Sequence, residues 1–244
     1  MSLESYQKIW RQKPVLKIVY DDFYRRISGV CVDGRTIEIG GGIGNLKEHI
    51  NDVVATDIQF APWLDCLADA QRLPFADASA ANIVMVDVLH HVEFPALFFR
   101  DAERVLKLAG RIIMVEPAVT WGSTLFYRLL HHEPVRMSAD PLTSGVADPG
   151  RDPYDSNQAI PSLIATRHRA QFHRLFPRLR IVRADWFSFF AYPLSGGFKP
   201  WSLISAPVAA WMLRIENAIE PSFGRIAGFR MMLVIEKIAS SVKR

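Results

Sequence analysis

Thr36-Ile37-Glu38-Ile39-Gly40-Gly41-Gly42-Ile43-Gly44-Asn45 is the stretch that decides the fold. A short apolar run carries an acidic residue just ahead of a cluster of glycines, and a helix-compatible segment follows. Glycine is wanted where the backbone takes positive φ or passes within contact of a ligand. A helix that begins there offers unpaired N–H groups.

Around this turn the chain alternates. Further apolar runs, Val53–Thr56, Ile83–Val86 and Ile112–Val115, are continuous rather than alternating, as in strands covered on both faces. Helix-compatible segments lie between them. The clearest is Pro95–Leu108, with Phe98, Ala102, Val105 and Leu106 on one face. Alternation of this kind predicts an α/β protein with a doubly wound, Rossmann-like sheet. Upstream, residues 5–28 read as one amphipathic helix. Downstream, 159–175 reads as helix, Leu179–Phe187 as a strand, Pro207–Glu220 as a helix and Phe229–Glu236 as a closing strand.

Two cofactor classes use a glycine turn after a strand. The dinucleotide fingerprint needs glycine at its first, third and sixth positions, and the sixth, counted from Gly40, is Asn45. Glu38 would also repel a pyrophosphate. Beside the cationic amino-acid end of S-adenosylmethionine the same carboxylate is favourable.

Glu38–Gly44 resembles motif I of the class I S-adenosylmethionine-dependent methyltransferases, and later segments follow in the family's order. Asp57 ends the second strand. Ala68-Asp69-Ala70 is followed by Leu73-Pro74-Phe75, Val84–Val92 resembles the fourth strand and its exit, and Arg104–Arg111 the turn into the fifth. The likeness is to bacterial small-molecule enzymes of the "type 11" kind and is strong over roughly residues 30–120. It implies a mostly parallel sheet with an antiparallel last strand, helices on both faces and a lid insertion after the fifth strand. It further implies that Gly40, Gly41, Gly42 and Gly44 shape the cofactor turn and that Glu38 faces the amino-acid end. Asp57, with Ile58, would take the ribose, Asp69 and Ala70 the adenine, and Asp87 would line the cleft. S-adenosylhomocysteine would be the product. Asn82 and Leu108-Ala109-Gly110 depart from the family pattern at the starts of strands, away from the cofactor.

On this reading residues 1–244 form one methyltransferase domain. The N-terminal helix takes 1–30, the cofactor half 31–117, a lid 118–168 and the last strands and helix 169–244.

Methyl transfer to a hydroxyl needs a proton acceptor, most often histidine or a carboxylate. His90-His91 follows the fourth strand and His131-His132 lies in the expected lid, so His91 and His132 are the candidate bases. Neighbouring histidines do not converge on one ion, so no metal site is expected. The Asn/Asp-Pro-Pro-aromatic and proline–cysteine signatures of nucleic-acid methylation are missing, so a small-molecule acceptor is expected rather than nucleic acid. The aromatics Trp186, Phe187, Phe189, Phe190 and Tyr192 read as packing rather than a base-stacking platform. A binding module without turnover and an NAD(P)-dependent oxidoreductase are the rival readings.

Cys31 and Cys66 form no disulfide framework, the N-terminus has no apolar signal core, and Leu203–Leu213 is too short to span a bilayer. A cytoplasmic protein is expected. The charge is uneven: residues 1–164 carry 16 basic and 21 acidic side chains, whereas 165–244 carry 13 and 4. The expected apolar stripe Val208, Trp211, Met212, Ile215 and Ile219, in that basic third, should pack on the sheet. A peripheral membrane contact is the alternative. Nothing in the sequence sets the oligomeric state.

Overall fold

In the computed structural model, residues 2–130 and 134–239 are described, with only the backbone for 126–130. The expected α/β sheet is present. Seven strands, β1 (Thr36–Ile39), β2 (Val53–Asp57), β3 (Cys66–Leu67), β4 (Ala80–Val86), β5 (Leu106–Pro117), β6 (Leu179–Phe187) and β7 (Arg230–Lys237), lie in the order β3-β2-β1-β4-β5-β7-β6. The β3-to-β5 pairings are parallel, and β7 runs antiparallel between β5 and β6. The β5–β7 register sets Arg230 opposite Pro117, so the last strand begins at the edge where the parallel strands end.

Strand residues alternate between two apolar layers, which is why the runs are continuous in sequence. Ile37, Ile39, Ile83 and Met85 join Phe98 and Phe99 of α3 (Pro95–Val105), with α5 (Ile160–Ala165) and α6 (Arg169–Leu175), on one face. Val84, Ile113, Val115 and Val234 join Leu16, Phe23 and Ile27 on the other.

The single helix expected over 5–28 is two, α1 (Leu3–Gln12) and α2 (Pro14–Ser28). Pro14 has no N–H to continue a helix and takes a first-turn position instead. Lys13, at the junction, turns inward, and its ammonium donates to the carbonyls of Gly197, Lys199 and Trp201 at 2.6, 2.8 and 2.8 Å. The helix expected over 159–175 is likewise broken between α5 and α6, where the Thr166 hydroxyl bonds back to the Ser162 carbonyl at 2.6 Å. The helix from Pro95 stops at Val105 rather than Leu108, because β5 already starts at Leu106.

Two elements were not legible in the sequence: the two-residue β3 and the short α7 (Ala191–Ser195). The last helix, α8 (Ala206–Ala227), runs on through Pro221 to Ala227 rather than stopping at Glu220. Its packing also differs from expectation. The buried face is Ala209, Leu213, Glu216 and Gly224, whereas Val208, Trp211, Ile215 and Ile219 are exposed.

The segment after β5 opens with α4 (Trp121–Leu130). Residues 134–159 then fold back over the exit of β4. Asn157 N–H donates to the His90 carbonyl at 2.8 Å, Arg151 to the His91 carbonyl at 2.6 Å, and Gln59 to the Tyr154 hydroxyl at 2.9 Å. Residues 151–157 thus lie against the segments that follow β4 and β2.

Candidate active site

The site forms at the C-terminal edge of β1, β2 and β4, where a switch in strand order leaves a crevice in doubly wound sheets. Gly40, Gly42 and Gly44 all hold positive φ, at 66°, 51° and 75°. A Cβ on Gly40 would lie 2.3 Å from a methyl of Val88, so the turn needs glycine there for space as well as for conformation. A Cβ on Gly42 would meet nothing nearer than 3.9 Å, so that side of the turn is open for a ligand.

Beneath the turn lies Glu38, 4% exposed. Its Oε2 is buried without a hydrogen-bond partner. Burial pushes its carboxyl up to about 8, Lys47 partly opposes this, and Asp57 and Asp65 add to it. A buried carboxylate left short of donors is costly, and a cationic ligand group is the natural remedy. The residues therefore fit the amino-acid end of S-adenosylmethionine.

Asp57 closes β2 and is almost fully buried. Its Oδ2 accepts from Gly42 N–H at 3.0 Å and its Oδ1 from Gln59 N–H at 2.9 Å, so it holds the glycine turn as well as facing the crevice. Burial raises its pKa against these N–H donors. Trp63 adds a brace, donating its indole N–H to the Gly42 carbonyl at 2.9 Å. Next to Asp57, a shallow pocket is lined by Ile58, Leu67, Ala68, Asp69, Arg72 and Pro74. Asp69 Oδ1 accepts from Gln71 N–H at 2.8 Å, and Ala70 is buried behind it. Ile58 and Asp69, read separately from the sequence, therefore share one pocket with apolar walls and a polar edge.

Asp87 directly follows β4 with φ of 59°, an uncommon conformation for a non-glycine residue. Its carboxylate is committed within the protein. Both oxygens pair with the Arg230 guanidinium, and the Tyr20 hydroxyl donates to Oδ2 at 3.4 Å. Arg230 is itself buried and lies 4.0 Å from the Tyr192 ring centroid. The Asp87 carboxylate is thus engaged by Arg230 and Tyr20, whereas Glu38 keeps an oxygen without a partner.

Of the adjacent histidines, His90 turns inward against Glu116. It is buried, and its Nδ1 lies 2.7 Å from Glu116 Oε2. Glu116 Oε1 accepts from the N–H groups of Val88 and Leu89 at 2.9 and 2.7 Å, which pins the exit of β4. His91, the expected base, turns toward the folded-back segment, with Nδ1 3.3 Å from the Asp155 carbonyl. His132 lies outside the described residues. Asp87, His90 and Glu116 offer ligand atoms within 4.8 Å of one another, but Arg230 neutralises Asp87 and backbone donors hold Glu116. Sequence reasoning missed Tyr20, Trp63 and Arg230. Glu116 was missed as well, although an acidic residue near the end of a buried strand is the same signal that marked Asp57.

Residues 37–114 match the family model described as a methyltransferase domain. That match spans about a third of the chain and takes in the glycine turn, β2 and β4. Among solved structures, the domain's fold resembles an S-adenosylmethionine-dependent methyltransferase of Thermotoga maritima at TM-score 0.55 and 13% identity, covering 96% of this chain and 97% of that one. It also resembles one of Archaeoglobus fulgidus at TM-score 0.50 and 16% identity, covering 91% and 94%. A curated relative, an uncharacterised protein of Methanocaldococcus jannaschii, is 28% identical over 119 residues. That match takes in 46% of this chain and 57% of the relative's length. Among the described residues, no helix is long and apolar enough to cross a membrane.

Proposed function

We propose that the protein transfers a methyl group from S-adenosylmethionine to an oxygen or nitrogen of a small-molecule acceptor such as a glycan or lipid intermediate. The observation that carries this reading is Glu38, whose buried and unpartnered oxygen lies beneath an open glycine turn beside Asp57.

The bound cofactor supplies the activated methyl group, so the protein's work is binding and alignment. Glu38 receives the ammonium of the amino-acid end. Asp57 keeps lone pairs for the ribose hydroxyls after accepting two backbone N–H groups. Ile58, Leu67 and Pro74 wall the adenine, and Asp69 meets its amino group. Glu116 and the Asp87–Arg230 pair fix the exit of β4, which places the cleft wall opposite the methyl group. His91, His132 and the newly located His90 are the candidates to take a proton from a hydroxyl acceptor.

The oxidoreductase reading loses further ground here. After Gly44 the chain forms a four-residue 3-10 turn, Asn45–Glu48, rather than an α-helix whose N-terminus could hold a pyrophosphate. Turnover is tested by incubating the protein with methyl-labelled S-adenosylmethionine and fractionated polar and lipid extracts. Label in a small molecule supports the proposal. Tight cofactor binding with no label in any fraction favours a binding module without turnover.

A further inference from the structure

α8 buries its small residues and exposes its large ones. Val208, Trp211, Ile215, Ile219, Phe223 and Ile226 are all exposed, Trp211 by 61% and Phe223 by 52%. At roughly 100° per residue these six fall in one sector about 120° wide, beside the buried sector of Glu216, Ala209, Leu213 and Gly224. With a rise of about 1.5 Å per residue the stripe is about 27 Å long. It continues onto α4, where Trp121 is 89% exposed and Leu125 is exposed beside it. The two helices touch: a Cβ built on Gly122 would lie 2.9 Å from the Ala227 Cα. An apolar surface of this extent marks an interaction site.

The helix carries two arginines and two glutamates, and only the arginines are turned to solvent. Glu216 is buried and accepts N–H groups from Phe189, Phe190 and Ala191 at 3.0, 2.7 and 2.7 Å. Glu220 is held in a two-pronged pair by Arg26 at 2.9 and 2.7 Å. Both carboxylates of α8 are therefore used inside the protein, while Arg214 and Arg225 stand exposed on the flank of the stripe. A second copy of the chain laid against this face would bring its own arginines and no exposed α8 carboxylate to meet them. Anionic lipid headgroups supply the missing charge, and tryptophan favours the boundary between apolar and wet regions.

We propose that α8, with the first turn of α4, docks this protein on an anionic membrane surface as a peripheral contact. The docked edge leads to the cleft. Only Gly228 and Phe229 separate α8 from Arg230, which pairs with Asp87 at the exit of β4. A docked molecule would present that opening to acceptors held at the headgroup level. The docking itself stands apart from the methyl-transfer reading.

The test is co-sedimentation of the full chain with phosphatidylcholine vesicles, with and without phosphatidylglycerol. Binding that needs the anionic lipid, weakens with salt and falls at least about tenfold in Trp211→Ser/Ile215→Ser is expected. S-adenosylhomocysteine binding by that variant, measured without vesicles, reports its folding independently of docking. A second pair, Phe223→Ser/Ile226→Ser, should behave alike. Wild-type protein that stays in the supernatant, or variants that bind vesicles as well as wild type, would overturn the proposal. So would a dimer in analytical ultracentrifugation that both variants abolish, since the stripe would then be a seam between copies.

Discussion

Arg230 grips Asp87 through two hydrogen bonds, one of them 3.0 Å, tying the first residue of β7 to the residue that follows β4. The pair joins strands that are not neighbours in the sheet, since β5 lies between them. It holds a cleft residue in left-handed backbone conformation and surrounds the guanidinium with Tyr192 and Phe23. Removing one partner leaves a largely buried charge unmet. Arg230→Met should destabilise the protein by about 2–4 kcal/mol, and Asp87→Asn added to it should restore part of that. Urea unfolding of the two single variants and the double variant measures the coupling. Additive losses would mean that the pair contributes nothing beyond its parts.

Glu38 makes stability depend on pH in an unusual direction for a carboxyl. Its folded pKa of about 8 lies above the ordinary 4.5, so the folded state holds the proton more tightly than the unfolded chain. The contribution is therefore present below the ordinary value and is lost as pH rises toward 8. Glu38→Gln should raise the melting temperature of the ligand-free protein at pH 8 relative to wild type, with a smaller difference at pH 5. The same variant should bind S-adenosylmethionine more weakly. Thermal unfolding across this range decides it; an unchanged difference at both pH values would sink the assignment of a Glu38 that burial keeps protonated until a cation binds.

Asp57 has two duties, and two substitutions separate them. Asp57→Ala removes the acceptor for Gly42 N–H and for a ribose diol together. It should weaken S-adenosylhomocysteine binding by about 1.5–3 kcal/mol, roughly ten- to over a hundredfold. Asp57→Asn keeps one carbonyl oxygen and should lose less. Equal affinities for the wild type and both variants would remove Asp57 from the cofactor site.

Glu216 shows that a carboxylate can serve the fold alone. Three backbone N–H groups at the start of α7 point to it, and it is 4% exposed. Glu216→Ala should cost about 3 kcal/mol or more in urea unfolding, because buried donors are left without acceptors. Affinity for S-adenosylhomocysteine should stay within about twofold of wild type under conditions where the variant remains folded. A large loss of affinity in folded variant would show that α7 reaches the cofactor.

The glycine turn, strands and strand-end acids were legible because backbone conformation and two-sided burial restrict which residues can stand there. Gly40 is required by its own φ and by Val88, and both constraints leave a mark on the local sequence. The facing of α8 was not legible. Its stripe at helical spacing is real, but periodicity says only that large apolar residues share a face. The inward face is set by the close approach of Gly224 to β6, where a Cβ would lie 2.0 Å from the Trp186 carbonyl oxygen. Arg230 was hidden for a different reason: its partner is 143 residues away and no local pattern links them. Likewise, the facing of His90 and His91 depends on Glu116 and on the segment around Asp155, both distant in sequence.

Isothermal titration calorimetry of ligand-stripped protein with S-adenosylmethionine, S-adenosylhomocysteine and NADH in parallel tests the central claim most directly. The site described here predicts saturable 1:1 binding of both sulfur cofactors, weakened in Glu38→Gln and Asp57→Ala, with no heat from NADH. Folded protein that binds NADH, or neither sulfur cofactor, would contradict it.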